Sequence, residues 1–177
     1  MGDLTAIQIG RQNITFDGTD LGHTDGGCEF SYEPEYTDIM VDAFGKTVAD
    51  KVLVGEAVKV KVPMVETTLD KVKIAMPTGI FVEDTANSTQ KLTIGSAPGK
   101  KLSDYAGELI LHPANLDVSD VSKDITLHKA VVTSEVVLPF KIDEKTVYEV
   151  EFLALIDDTK EDGNYLATIG DPAATSV

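Results

Sequence analysis

The chain has 177 residues, enough for one domain that buries its own core without a disulfide or a metal. A single cysteine, Cys28, excludes a disulfide scaffold, and no run approaches the 18 apolar residues that would span a bilayer. Thirty acidic residues against 15 basic ones give a net charge of −15, a surface that repels nucleic acid and anionic membranes.

The opening Met1-Gly2-Asp3-Leu4-Thr5 has no basic start and no apolar stretch after it, so it does not read as a signal peptide. Period-two alternation, broken by Gly, Asp, Asn and Pro, runs through most of the chain. Two short strands are expected at 5–9 and 13–16, then a turn-rich stretch over 17–27. A clearer strand spans 28–36: Cys28, Phe30 and Tyr32 point one way, while Glu29, Ser31, Glu33 and Glu35 point the other. Its partner is expected at 56–65, with Val58, Val60 and Val62 on the apolar face. Lys59 and Lys61 then face glutamates across the pair, each contact contributing about 0.2–1 kcal/mol.

Residues 37–55, which join these strands, form an arm too long for an ordinary hairpin connection. They are also too apolar for a solvated loop, with Ile39, Met40, Val41, Phe44, Val48, Val52, Leu53 and Val54 around a turn at Phe44-Gly45-Lys46. Either the arm folds back over its own core, or it buries itself against another copy of the chain.

One helix is signalled after Thr67, which can cap it with Asp70 in a capping box. Leu69, Val72 and Met76 share one face, and Pro77 ends the helix. Strands are expected at 79–82 and 91–95, a helical turn at 102–105, and strands at 108–112 and 125–133. A hairpin over 135–142 and 146–156 and a last strand at 165–169 complete the chain. Runs of strands with one isolated helix predict a mainly β fold, an antiparallel sandwich or barrel-like body with one flanking α-helix and a long hairpin arm. The whole chain, 1–177, reads as one domain with a flexible tail from about 171.

No catalytic set emerges. Nothing pairs His23, His112 or His128 with a nucleophile and an orienting carboxylate, and His112 and His128 read as surface or edge residues. His23 and Asp25 supply two metal ligands where three or four are needed. The run from Asp157 to Gly163 lacks the bidentate glutamate of a calcium loop. The loop at 95–101 misses the spacing of a phosphate-binding loop and has Lys101 in place of its Ser or Thr. No enzyme activity, cofactor or metal is therefore expected.

Several stretches carry a resemblance. They are Asp20-Leu21-Gly22-His23-Thr24-Asp25-Gly26-Gly27 leading into Phe30-Ser31-Tyr32-Glu33-Pro34, and the arm Asp42-Ala43-Phe44-Gly45-Lys46-Thr47-Val48-Ala49-Asp50-Lys51 with Val54-Gly55-Glu56. Val60-Lys61-Val62-Pro63-Met64-Val65-Glu66-Thr67-Thr68-Leu69 comes next, then Leu109-Ile110-Leu111-His112-Pro113, Val147-Tyr148-Glu149-Val150-Glu151-Phe152 and Ile169-Gly170-Asp171-Pro172. In this order and spacing, over most of its length, the chain resembles the major tail tube proteins of long-tailed, siphovirus-like bacteriophages.

The resemblance implies a structural virion protein of the tail, made in the bacterial host cytoplasm. Six copies would close into a ring, and stacked rings would form a hollow conduit for the genome. It implies as partners the chain itself and the tape measure, tail tip and tail terminator proteins, with DNA passing through unbound and no insertion into membrane. The arm would reach the next ring with Ile39, Met40, Phe44 and Val48 as buried anchors. Glu29, Glu33, Glu35, Glu149 and Glu151, on sheet faces with apolar backs, would line the bore; the other reading places some of them outside the tube. The related type VI secretion tube is the alternative in fold and assembly, and a monomeric β-sandwich binding module is a third reading.

Overall fold

Alternating apolar and polar side chains build a mainly β, antiparallel structure with one α-helix among the described residues. A computed structural model describes residues 10–95 and 98–174. The strands are β1 (Gln12–Phe16), β2 (Thr19–Asp20), β3 (Glu29–Met40), β4 (Val48–Met64), β5 (Ile80–Asp84), β6 (Thr89–Thr93), β7 (Gly107–Pro113), β8 (Ile125–Val132), β9 (Tyr148–Ala154) and β10 (Ala167–Ile169). The helix α1 (Leu69–Ala75) comes after β4. Among the described residues β2-β1-β7-β8-β9-β4-β3 lie side by side in one sheet, with β10 on β8, and β5 and β6 form a separate hairpin.

The long sheet folds over at β8. In its first half Leu127 pairs with Leu109 of β7 and Ala167 of β10; in its second half Ala130 and Val132 pair with Ala154 and Phe152 of β9. Strands far apart in the sheet therefore face each other. The Phe16 ring of β1 lies 5.2 Å from that of Phe152 in β9. Ile14, Val60, Val62, Leu109, Val150 and Phe152 are completely buried between the two limbs, the burial that dominates stability in a domain of this size.

A seam closes the curled sheet. The Asp25 N–H donates to the Pro63 carbonyl (3.0 Å) and the Val65 N–H to the His23 carbonyl (3.2 Å). The chain after β2 thus returns to β4 along the edge that β3 leaves free. Glu66 locks the seam: its carboxylate accepts the His23 N–H at 2.9 Å and its carbonyl accepts the Tyr148 hydroxyl at 2.6 Å. Gly22 sits at φ +81°, and a Cβ there would fall 2.4 Å from the Glu66 carboxylate, so glycine suits both the turn and the close approach.

Burial, reinforced by the charge of Glu66, pushes the Tyr148 hydroxyl up from 10 to about 12. The folded state thus holds this proton more tightly than the unfolded state. The stability it supplies is whole below pH 10 and is lost as pH rises towards about 12. Tyr148→Phe should lower the urea midpoint at pH 8 by the loss of one buried hydrogen bond, about 1 kcal/mol. The gap to the wild-type protein should then narrow between pH 10 and 12; a constant gap in urea titrations across that range would contradict this role.

Several sequence expectations change. The arm strands are longer than expected: β3 runs on to Met40 and β4 starts at Val48. The segment 135–142 is not a strand: β8 pairs with β9 only over Phe152–Ala154, and beyond it the segment, in which Pro139 lacks a donor, packs Val136 and Leu138 on the core without joining the ladder. Thr68, not Thr67, stands at the helix N-cap, and no side chain caps it; Asp70 does lie in the first turn. The last strand is three residues, and β2 lies in the stretch expected to be turns. The strand expected at 5–9 lies outside the described residues, as do residues 96 and 97 of the 95–101 loop and residues 175–177 of the tail.

Candidate assembly surfaces

The arm is a two-stranded ribbon that leaves the body and does not fold back on it. β3 and β4 stay paired from Glu29–Lys61 out to Met40–Val48. Every residue from 35 to 54 is exposed. β-Branched residues (Thr37, Ile39, Val48, Val52, Val54) favour the extended ribbon. A 3₁₀ turn, Asp42–Phe44, reverses the chain, and Gly45 completes it at φ +62°.

Two bulges set which side chains share a face. Glu35 pairs with Gly55 but Tyr36 with Leu53, so Val54 is extra; Ile39 pairs with Asp50 but Met40 with Val48, so Ala49 is extra. The first bulge brings Leu53 onto the face of Val58 and Val60, which the even count of β4 would otherwise deny it. Tyr36, Leu53, Met40 and Val48 thus continue the core-side face of the sheet into solvent. The Asp38–Lys51 ion pair (2.9 Å) sits among them. Of the four expected anchors, Met40 and Val48 are opposite each other, Ile39 is on the other face beside Val52, and Phe44 is at the tip. All four are exposed, Phe44 at 65%. Tyr36, 53% exposed, belongs with them; its place at the end of the readable alternation assigns it instead to the body.

The five glutamates come together on the outer face of β3, β4 and β9. Glu29, Lys61 and Glu151 stand in one row across the three strands, and Glu149 is opposite Pro63. Lys59 donates to Glu33 at 2.8 Å, and Glu35 is opposite Gly55. The hydrogen bond to Glu33 and that group's charge hold the Lys59 ammonium above its usual range, with Glu151 adding a smaller pull. Five carboxylates against two ammonium groups leave the face negative, with Val60, Val62, Val150 and Phe152 on its reverse.

Two histidines depart from the surface position expected of them. His112 Nδ1 lies 2.7 Å from Asp124 Oδ1, with both side chains nearly buried under the loop after β7. His128 Nε2 lies 3.0 Å from Asn164 Oδ1 and 3.1 Å from Thr168 Oγ1, joining β8 to β10. Alternation alone puts both on the polar side of their strands and does not show the segments that cover them. Among the described residues, no three His, Cys, Asp or Glu side chains converge as metal ligands would.

No protein-family model matches the chain, and no curated protein matches it in sequence. Among solved structures, a chain in the virion of a native gene transfer agent particle is similar, at 11% identity and a TM-score of 0.49. The match covers 84% of this chain and 95% of that one.

Proposed function

We propose that this chain is a structural virion protein, the tail tube subunit of a long-tailed phage-like particle, with no catalytic role. Copies close into rings, six to a ring, and the rings stack into a hollow tube that conducts the genome. The observation that carries the proposal is the arm: a ribbon with nine large apolar side chains in solvent, far beyond the scattered exposure normal for a monomer. Obligate interfaces of roughly 2,000–5,000 Å² are apolar in this way. Ile39, Met40, Phe44 and Val48 become inter-ring contacts.

The outer face of β3, β4 and β9 lines the bore with Glu29, Glu33, Glu35, Glu149 and Glu151. Repulsion of DNA by these groups decays over about 8 Å at physiological salt, which prevents sticking without opposing passage. The tape measure, tail tip and tail terminator proteins are the other partners, and the chain resides in the tail after synthesis in the host cytoplasm. Electron microscopy of concentrated protein, with and without a tail initiator complex as seed, should show hollow tubes or stacked rings. A monodisperse monomer under all these conditions, with an arm resistant to proteolysis, would refute the proposal.

A further inference from the structure

A second apolar feature lies at the root of the arm. Phe30, Tyr32 and Val58 of the ribbon face Ile156, Leu166 and Ile169 across an open groove of about 460 Å³. Tyr32, Ile156 and Ile169 are at least half exposed. The polar groups at this groove are already engaged: the Tyr32 hydroxyl donates to Glu56 and the Tyr165 hydroxyl to Asp162. A small-molecule site needs a few convergent polar groups to fix its ligand, whereas this lining asks for an apolar side chain.

We propose that this groove receives the arm tip of a second copy of the chain, with Phe44 as the inserted residue. The inference rests on the stacked-ring reading and names the surface on which that reading's arm lands. Three observations favour this occupant. The arm that carries Phe44 exposes nine large apolar side chains, more than a lone chain leaves without a partner. Tip and groove are both apolar at their centres. At the rim one charge is open for pairing: Lys46, two residues from Phe44, makes no salt bridge among the described residues, while Asp42 lies as close on the other side of the tip. The groove has Glu56 in its wall and Asp157, Asp158, Glu161 and Asp162 in the adjoining turn, against Lys160 in that turn and Lys129, whose charge reaches Asp157.

Donor and acceptor lie on the same ribbon, which sets a length. Twelve residues separate Tyr32 from Phe44, so the groove and the tip of one copy are at most about 40 Å apart at 3.3 Å per residue. Rotation about a tube axis leaves axial coordinates unchanged. The rise from ring to ring therefore equals the axial part of that separation and does not exceed about 40 Å.

The test mixes full-length Phe44→Cys with full-length Ile169→Cys, and separately with Ile156→Cys, assembles tubes and oxidises them mildly. With random mixing in equal amounts each Phe44→Cys tip meets a cysteine groove about half of the time, so up to about half of each variant should shift to a dimer band on a non-reducing gel. Mass spectrometry should identify a 44–169 or 44–156 disulfide, distinct from any bridge to Cys28, and images of wild-type tubes should give an axial rise within the limit. Tubes that form without either disulfide, or that rise by clearly more than 40 Å, overturn the groove assignment and leave the stacked-ring reading standing. In that case the groove is free for an apolar side chain from another partner. Failure of the wild-type chain to form tubes under any condition overturns both.

Discussion

Phe44→Asp should leave a folded, soluble protein that no longer assembles. Phe44 is 65% exposed and belongs to no part of the core, so the change removes no buried contact from the isolated chain. Its Tm should stay within a few degrees of the wild-type value and its far-UV spectrum should be unchanged, as expected for surface substitutions away from special features. In the stacked state the new carboxylate enters an apolar contact with no cation built to meet it. Desolvating an unpaired charge costs several kcal/mol, and every copy in every ring incurs it. Sedimentation should therefore find only rings or monomers at concentrations where the wild-type chain gives tubes. Tubes of normal length built from the variant would remove the arm tip from the contact.

Glu149→Lys combined with Glu151→Lys should produce tubes that hold DNA. Glu149 is exposed and Glu151 half-buried on the outer face of β9, so neither reversal disturbs the core on the other side of the sheet. Lost pairing between Glu151 and Lys61 costs roughly 0.2–1 kcal/mol, which assembly should tolerate. Each copy gains four units of positive charge on the face assigned to the bore, and the gain repeats around the ring. DNA retention by washed tubes should rise from undetectable to clear at low salt. It should then fall steeply as salt is raised, because each neutralised phosphate contributes about −0.9 to the slope of log affinity against log salt. Wild-type tubes should show neither behaviour. Variant tubes that retain no more DNA than wild-type ones would put these two glutamates outside the channel.

How much of this is legible in the sequence depends on whether one strand's own pattern suffices. The face carrying Glu29, Glu33 and Glu35 can be read because β3 alternates without interruption, and its pairing with Lys59 and Lys61 rests on the complementary alternation in β4. The turn at Gly45 is legible because apolar runs flank a residue that takes positive φ without strain. The bulges at Val54 and Ala49 are not, since register against a partner leaves no trace in a single strand. The stretch 135–142 alternates as well as many strands do, yet it packs Val136 and Leu138 on the core without pairing to a neighbour, which alternation alone does not reveal. The same limit hides the cover over His112, whose partner Asp124 comes from a loop with no period of its own.

The ribbon leaves the body in one direction, and this has a consequence for any assembly built through it. Copies joined head to tail form a polar object with two chemically different termini: one displays a ring of free fingers, the other a ring of empty sockets. A protein that seals one terminus has no fit to the other. Growth and termination therefore call for two unlike capping factors, and a filament seeded at one end has only one direction in which to lengthen.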